Sequence, residues 1–158
     1  MRKFEIISKN EYEKSLKEVC NYEDIVLPTR STKHSAGYDF KSPISFILNP
    51  GESKKVPTGI KVCMNEDEFL AIFVRSSMGF KYNIRLCNQV GIVDSDYYNN
   101  PDNEGHIFIK IQNEGKEPLN IDKNDRFAQG IFMKYLLTDD DLSTGERSGG
   151  FGSTGKGE

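Results

Sequence analysis

Tryptophan is absent from this sequence, and cysteine and histidine are scarce, with three and two residues among 158. The cysteines, Cys20, Cys63 and Cys87, are odd in number, widely separated and free of any CxxC pair. This usage argues against a disulfide framework and predicts reduced thiols, as in a cytoplasmic protein. His34 and His106 lie far apart in the sequence, which argues against a zinc site.

Long apolar runs and an excess of basic charge are also missing. No stretch approaches the roughly 18 apolar residues of a membrane span, and Met1–Asn10 lacks the apolar run of a signal peptide. Lysine and arginine total 21 against 24 acidic residues, for a net charge of -3. Because a long nucleic-acid backbone needs a basic face, we expect no nucleic-acid partner. Because no membrane-spanning run is present, we expect no membrane partner. A small anionic ligand is compatible with this balance, since it needs only a local cluster.

The remaining sequence predicts one all-β domain. Its length suits a single core, and short apolar or alternating runs between turn residues are typical of a β-sandwich or barrel. These runs are Phe4–Ile7, Ile25–Leu27, Ile44–Leu48, Ser53–Val56, Gly59–Met64, Glu68–Val74, Arg85–Cys87, Gly91–Val93, Ile107–Gln112 and Arg126–Tyr135. Two helical segments are predicted in addition, at Glu11–Cys20 and Ser76–Tyr82.

The C-terminal stretch combines glycines with side chains suited to a nucleotide. It reads Arg147-Ser148-Gly149-Gly150-Phe151-Gly152-Ser153-Thr154-Gly155. The glycines let consecutive N–H groups turn towards one anion, while the hydroxyls and the guanidinium add donors and the phenyl ring offers a stacking face. The pattern favours a terminal segment that closes over a nucleotide, and a flexible Gly/Ser tail without a role is the open alternative. The Gly-Lys-Ser/Thr ending of a P-loop is absent.

Arg75, Ser76 and Ser77 follow a predicted strand and begin a predicted helical turn. A serine-rich turn exposes N–H groups, and the start of a helix favours an anion, so these residues can bind phosphate with Arg75 adding charge. Serine is also a favoured helix N-cap, and by themselves the three residues favour that simpler interpretation.

Asp94 and Asp96 lie in Asn88–Tyr97, which is predicted as a hairpin running into a strand. Hydrolysis of a phosphoanhydride needs a water that is deprotonated and aimed at phosphorus, and a carboxylate at the base of a hairpin can do both. On a regular strand the two carboxylates share one face. Taken alone, such a triplet is much more commonly a surface Asp-Ser-Asp turn.

Five short segments carry these polar and glycine residues in a fixed order. They are Ala36–Phe40 followed by Ser42, Arg75–Lys81, Asn88–Tyr97, Arg126–Gln129 and the C-terminal stretch. Together they resemble the trimeric dUTPases (deoxyuridine 5′-triphosphate nucleotidohydrolases), from about Ser35 to Gly155. The resemblance implies a distorted β-barrel or jelly roll with at most two short helices. It also implies one domain over residues 1–142 and a mobile C-terminal tail, 143–158, that closes over the active site.

The resemblance implies hydrolysis of dUTP to dUMP and pyrophosphate, which keeps uracil out of DNA and supplies dUMP for thymidylate synthesis. Asp94 is then the catalytic residue that holds the attacking water, and the ring of Tyr97 packs under the deoxyribose and leaves no room for a 2′-hydroxyl. Taken alone, Tyr97 is also a common strand residue. The uracil is expected to be bound by hairpin backbone groups and an amide, at Asn88, Gly91, Ile92 and Val93.

The same resemblance assigns phosphate binding to basic, hydroxyl and amide groups. The expected nucleotide-binding residues are Arg75, Ser76, Ser77, Gln129, Arg147, Phe151, Gly152, Ser153 and Thr154. Asp39, Asp96 and Arg126 are expected to support them. Mg²⁺ is expected to arrive on the triphosphate with its waters, because no set of side chains has the spacing of a dedicated magnesium cage. The expected assembly is a homotrimer.

Two departures from the family pattern mark regions of uncertain role. Tyr98–Gly105 is longer than the family's usual Asp-Tyr-Arg-Gly-Glu and lacks its arginine, which predicts an enlarged loop. Arg147 lies four residues before Phe151, where many relatives have five. Two alternatives follow. A dCTP deaminase shares the fold and the Arg-Ser-Ser turn but needs a catalytic glutamate. A phage-type regulatory protein binds a repressor through the same site, and Asn99–Gly105 could provide that surface.

Overall fold

The computed structural model describes residues 1–147 and 149–150, and these form a mostly antiparallel β-structure. The strands are β1 (Lys3–Ile6), β2 (Thr29–Arg30), β3 (Tyr38–Lys41), β4 (Phe46–Leu48), β5 (Ser53–Pro57), β6 (Ile60–Cys63), β7 (Glu68–Val74), β8 (Ile84–Leu86), β9 (Gly91–Asp94), β10 (Phe108–Asn113), β11 (Leu119–Ile121) and β12 (Arg126–Lys134). The helices are α1 (Lys9–Ser15) and α2 (Ser76–Tyr82), and Tyr22–Asp24 and Ser95–Tyr97 form short 3-10 turns. This confirms the predicted all-β class with two short helices. Within the described part of the chain, no helix has the length and apolar content needed to cross a membrane.

Four antiparallel sheets surround a single apolar core. The largest has the order β2-β3-β12-β7-β9, and the others are β5-β10-β8, β1-β6 and β11-β4. In β10 the side chains alternate, so that Ile109 and Ile111 point inward between more exposed neighbours. They pack in one cluster with Phe40 of β3, Leu70 of β7 and Phe127 of β12.

The predicted helix Glu11–Cys20 is wrong in its bounds. The helix α1 starts earlier because the Ser8 side chain caps it, accepting a backbone N–H of the first turn at 3.2 Å. It ends before Leu16, which is fully buried and has a non-helical backbone. The residues that follow turn back, and the Tyr12 hydroxyl donates to the carbonyl of Cys20 at 2.7 Å. The apolar spacing beyond Ser15 therefore reflects burial of a turn and not further helix.

Several strand predictions also need correction. Ile25–Leu27 is not a strand: Ile25 is buried after the first 3-10 turn, whereas Val26 and Leu27 are substantially exposed. The strands β2, β3 and β11 were not predicted, because each has only two to four residues, too few for a clear alternation. By contrast, β7 and α2 have the predicted bounds.

The segment Asn88–Tyr97 is not a hairpin of two paired strands. The strand before this segment, β8, pairs with β10, whereas β9 within the segment pairs with β7 in the largest sheet. The connection crosses between sheets through a turn at Gln89, whose backbone is left-handed with φ 62°. Local sequence could not distinguish this connection from a hairpin, since both need turn residues between two short apolar runs.

The N-terminal segment packs buried polar side chains against the loop that precedes β10. The Nε2 atom of His106 accepts the N–H of Gly59 at 2.9 Å, so the ring proton lies on Nδ1. Nδ1 is 3.3 Å from Ser15 Oγ and 3.5 Å from Glu11 Oε1. Burial lowers the pKa of His106 to about 4, so the ring is neutral at pH 7 and its contact with Glu11 is not an ion pair. Glu104 accepts from the backbone N–H of Ser8 at 3.0 Å, which also ties α1 to this loop.

Candidate active site

A cavity of about 220 Å³ lies beside β9, at the edge of the largest sheet. Gly91 of β9 is opposite Ile72 of β7, and a Cβ on Gly91 would come within 3.2 Å of the Ile72 side chain. The glycine therefore keeps the cavity open on this side. The cavity is lined by Ile72, Asn88, Gly91, Ile92, Val93, Asp94, Tyr97, Ile107, Phe108 and Arg147. Six of the predicted site residues, Asn88, Gly91, Ile92, Val93, Asp94 and Tyr97, are thus brought to one place together with Arg147.

All four residues of β9 line this cavity, and β9 is an edge strand. In the sheet order, β9 is the terminal strand, and its pairing with β7 uses only one of its two sides. An edge strand offers N–H and C=O groups to a planar ligand. The exposed amide of Asn88 lines the same cavity. This arrangement can recognise the polar edge of a base.

Asp94 ends β9 and shares a cation with Asp96. Their side chains are 54% and 55% exposed. The Arg147 Nη2 atom donates to Asp94 at 2.8 Å, and its Nε donates to Asp96 at 2.8 Å. The guanidinium also lies 5.6 Å from the centre of the Tyr97 ring. The described end of the C-terminal stretch therefore reaches the carboxylates at the mouth of the cavity.

The sequence predicted that Asp94 and Asp96 lie on one face of a regular strand, but the structure places only Asp94 on a strand. The strand ends at Asp94, and Asp96 lies in the 3-10 turn Ser95–Tyr97. They approach each other through their common partner Arg147. This corrects the predicted geometry, although both residues are at the cavity.

Tyr97 forms a buried wall of the cavity and is only 7% exposed. Its hydroxyl donates to the carbonyl of His106 at 3.0 Å and accepts from the side-chain amide of Asn103 at 2.9 Å. Burial raises the pKa of Tyr97, so the ring is neutral at pH 7. The cavity thus has a fixed aromatic surface next to an exposed carboxylate.

A second polar group surrounds Asp39 of β3, which is 6% exposed. Its carboxylate accepts from Arg75 Nε at 3.1 Å and from Arg126 Nη1 at 3.3 Å. The Ser31 hydroxyl donates to the same carboxylate at 2.5 Å and accepts from Arg126 at 2.8 Å. One buried anion therefore orients two arginines. Sequence reasoning did not find Ser31, because β2 is too short to predict and its pairing with β3 alone brings Ser31 close to Asp39.

The serines and Gln129 extend this second group. Arg75 is the N-cap of α2, and Ser76 and Ser77 are exposed in its first turn. Gln129 lies on β12 between β3 and β7 and donates to the carbonyl of Val74 at 3.3 Å. The N–H of Met78 already donates to the carbonyl of Arg75 at 2.9 Å. The N–H groups of Ser76 and Ser77 come before the first carbonyl that the helix can pair with them, so they are suited to an anion.

A single chain does not bring the two groups together. Asp94 is opposite Phe69, near the start of β7, whereas Arg75 follows the opposite end of that strand. Arg75 is six positions after Phe69 along an extended chain, which places their backbones about 20 Å apart at the usual rise of a strand. This is too far for one phosphate to contact both Asp94 and Arg75.

Five residues of the C-terminal stretch were predicted to bind the nucleotide, and among them only Arg147 lies in the described part of the chain. Gly150 is also described, and its N–H donates to Asp102 Oδ2 at 2.8 Å. The predicted roles of Phe151, Gly152, Ser153 and Thr154 lie outside the described residues.

Comparisons with known proteins show the family of this chain. Residues 23–155 match the family model described as dUTPase. The chain belongs to the dUTPase family. A deoxyuridine 5′-triphosphate nucleotidohydrolase from Lactococcus lactis subsp. lactis is 48% identical over 133 residues, covering 83% of this chain and 89% of that protein.

Solved dUTPase structures have the same fold. The crystal structure of a dUTPase from Streptococcus mutans is 40% identical, with a TM-score of 0.70, and the match covers 86% of this chain and 98% of that one. A mutant dUTPase from phage phi11 of S. aureus is 17% identical, with a TM-score of 0.68, covering 92% and 97%, which supports the fold alone. Its description names a structural Mg(II) ion in that protein.

The described residues of this dUTPase offer no protein cage for a metal ion. Among residues 1–147 and 149–150, no three His, Cys, Asp or Glu side chains are grouped so as to hold one. The exposed carboxylates Asp94 and Asp96 are paired with Arg147. A magnesium ion bound mainly by triphosphate oxygens and water fits this donor set, because it needs few protein ligands.

Proposed function

We propose that the chain hydrolyses dUTP to dUMP and pyrophosphate. The observation that carries the proposal is the cavity beside β9 in a dUTPase-family chain, with the buried Tyr97 ring on one wall and the exposed Asp94 carboxylate at its mouth. In the cell, this reaction would keep uracil out of DNA and supply dUMP for thymidylate synthesis. The composition and cysteine usage favour a cytoplasmic location.

The nucleoside would be selected at β9. Backbone groups of Gly91, Ile92 and Val93, with the amide of Asn88, would bind the polar edge of uracil, where a thymine methyl group would clash. The Tyr97 ring would pack under the deoxyribose, so that a 2′-hydroxyl would have no space. This assignment is supported by the terminal position of β9 in its sheet and by the burial of Tyr97.

Asp94 would act as the general base. A water bound to its carboxylate attacks the α-phosphorus and gives its proton to Asp94, a new P–O bond forms, and the bond to the bridging oxygen breaks to release pyrophosphate. Arg147, which holds Asp94 and Asp96 in this structure, is positioned to transfer its contact to the triphosphate when a nucleotide binds. Phe151, Gly152, Ser153 and Thr154 are proposed to close over that nucleotide.

The phosphates would be bound by a second copy of the chain. Arg75, with Ser76 and Ser77 after it, is about 20 Å from Asp94 along β7 within one chain, so a complete site needs these residues and the rest of the Asp39 group, including Gln129, from a neighbour. A homotrimer is the proposed assembly. A repressor partner stays a prediction from the sequence.

Magnesium would be carried on the triphosphate with its waters, supplying positive charge that favours departure of pyrophosphate. The chain's own contribution would be electrostatic and positional. Asp39 would hold Arg75 and Arg126 towards the phosphates, because it accepts hydrogen bonds from both. Asp96 would help to position Arg147.

Product analysis tests the proposal. The purified chain is incubated with dUTP, dCTP, dTTP and UTP in the presence of Mg²⁺, and nucleotides, pyrophosphate, phosphate and ammonia are quantified. We expect dUMP and pyrophosphate from dUTP, with little turnover of dTTP or UTP. Release of phosphate in place of pyrophosphate would contradict attack at the α-phosphorus, and ammonia from dCTP would identify the deaminase alternative.

A further inference from the structure

Asn103 lies in the enlarged loop between the 3-10 turn at Tyr97 and β10, and its side chain contacts the hydroxyl of Tyr97. Asn103 Nδ2 donates to Tyr97 Oη at 2.9 Å, and that hydroxyl donates to the carbonyl of His106 at 3.0 Å. The phenol is thus held at its far end by one donor and one acceptor. Because the backbone fixes the other end, these two bonds limit rotation of the ring about its side-chain torsions.

Neighbouring donors determine which way the Asn103 amide points. Its Oδ1 atom accepts from Asn100 Nδ2 at 2.9 Å and from the N–H of Gly105 at 3.1 Å. Both of these groups are donors, so the oxygen must face them and the NH₂ group must face Tyr97. The hydrogen bond to the phenol therefore has a defined direction.

The loop itself is fixed to the backbone of Tyr97. Asn100 is buried; its Nδ2 donates to the Tyr97 carbonyl at 2.9 Å, and its Oδ1 accepts from the N–H groups of Asp102 at 3.0 Å and Asn103 at 3.2 Å. Gly105 has φ +81°, and a Cβ there would lie 2.6 Å from the same carbonyl. The loop consequently has little freedom to move relative to the ring that it contacts.

We propose that Asn103 is a positioning residue for sugar selection, which holds the Tyr97 ring at the height that excludes a 2′-hydroxyl. The inference rests on the proposed function, since it takes Tyr97 as the surface beneath the deoxyribose. Asn103 acts through the Tyr97 ring, whose hydroxyl it contacts with its side-chain amide. It gives the enlarged loop a role in discriminating deoxyribonucleotides from ribonucleotides.

The test compares kcat/KM for dUTP with kcat/KM for UTP in the full-length protein. Asn103→Ala removes the donor to the Tyr97 hydroxyl. Tyr97→Phe keeps the ring but removes the hydroxyl, and with it both the bond from Asn103 and the bond to the His106 carbonyl. The double variant combines the two changes. Asn99→Gly is the matched control: Asn99 is in the same loop, its side chain accepts from Lys61, and its left-handed backbone suits glycine. Tyr97→Ala tests the proposed function itself, and thermal unfolding reports whether each variant is folded.

We expect Asn103→Ala to lower the dUTP-to-UTP ratio about 3- to 10-fold, as for loss of one hydrogen bond to the ring. Tyr97→Phe should lower it at least as far, because it also loses the bond to the His106 carbonyl. The double variant should lower the ratio no further than Tyr97→Phe alone, because the bond between Asn103 and Tyr97 is already absent there. Asn99→Gly should leave the ratio unchanged. General loosening of the protein would lower turnover of both nucleotides alike and leave the ratio intact, which would overturn the inference.

The outcomes separate the inference from the proposed function. If Tyr97→Ala lowers the ratio but Asn103→Ala and Tyr97→Phe do not, Asn103 has no positioning role and the proposed role of Tyr97 stands. If Tyr97→Ala leaves the ratio unchanged, the proposed sugar contact fails and the inference fails with it. Should Asn103→Ala not fold, an unchanged ratio in Tyr97→Phe, which lacks the same bond, would overturn the inference.

Discussion

Asp94 is the residue on which the proposed chemistry depends most directly. It is exposed at the end of β9, in reach of solvent and of the Arg147 guanidinium. Asp94→Asn keeps the size of the side chain and removes the base, so we expect turnover of dUTP to fall by roughly 10²–10⁴-fold while nucleotide binding is kept. Steady-state kinetics and isothermal titration with a non-hydrolysable dUTP analogue measure the two effects separately.

The matched control for this prediction is Asp139→Asn, which makes the same chemical change at another exposed aspartate. It should have the activity of the unchanged protein. An Asp94→Asn protein with full turnover would show that a different group activates the water.

His106 connects a buried residue to the pH dependence of stability. Burial lowers its pKa to about 4, against about 6.5 in an unfolded chain, so the unfolded state binds more protons between these values. The free energy of unfolding should therefore fall as the pH drops from 6.5 towards 4, by up to about 3 kcal/mol. Burial raises the pKa of Glu11, which opposes this loss at the lower end of the range.

Denaturant unfolding at pH 7, 6, 5 and 4 measures the effect. His106→Gln should reduce stability at pH 7, since the hydrogen bonds of the ring are lost, but should flatten the dependence between pH 6.5 and 5. His34→Gln, at an exposed histidine, should keep the original slope. Equal slopes in all three proteins would assign the acid sensitivity to other groups.

At the scale of elements, the C-terminal segment contacts the enlarged loop and the end of β9. Arg147 pairs with Asp94 and Asp96, and the N–H of Gly150 donates to Asp102. A chain ending at Leu142 loses these contacts and the predicted phosphate-binding residues of the C-terminal stretch, but none of the twelve described strands. We expect it to fold and to lose at least about 10²-fold in turnover, because an arginine at a phosphoryl transition state often contributes more than this.

A chain ending at Gly155 is the control, since it removes only the last three residues and keeps the whole predicted motif. Circular dichroism and size-exclusion chromatography compare folding and assembly, and kinetics compares turnover. Full activity in the chain ending at Leu142 would mean that the C-terminal segment is dispensable for catalysis.

At the scale of the whole molecule, the separation of Asp94 from Arg75 predicts complementation between subunits. Asp94→Asn and Arg75→Ala proteins should each be nearly inactive alone. Unfolding and refolding them together at equal amounts should restore roughly one quarter of the original activity if the proposed homotrimer forms, since each mixed cyclic trimer would then contain one intact site. The measurement is the specific activity of the mixture, together with its mass in solution.

The control mixes Asp94→Asn with the double variant Asp94→Asn/Arg75→Ala, which supplies no intact Asp94 and should give no recovery. A first mixture that forms mixed oligomers but regains no activity would contradict a site shared between copies of the chain.

The sequence predicted those parts of the fold and site that depend on local pattern. β7 has the predicted bounds because its long apolar run is unambiguous, and α2 does because it follows directly on that strand. The residues beside β9 could be predicted to lie together because they are adjacent in the chain. The helix α1 was predicted too long, since apolar spacing alone does not separate a helix from a buried turn.

The sequence by itself determined the all-β class and the order of the polar segments, because both follow from residue types at short spacing. The resemblance of those segments to the dUTPases made Asp94 and Tyr97 candidates. Only the tertiary structure decided that Asp39 joins Arg75 and Arg126, that Asn103 holds the Tyr97 hydroxyl, and that the two polar groups lie far apart along β7. These relations depend on strand pairing and loop conformation, which are set by packing between residues distant in the chain.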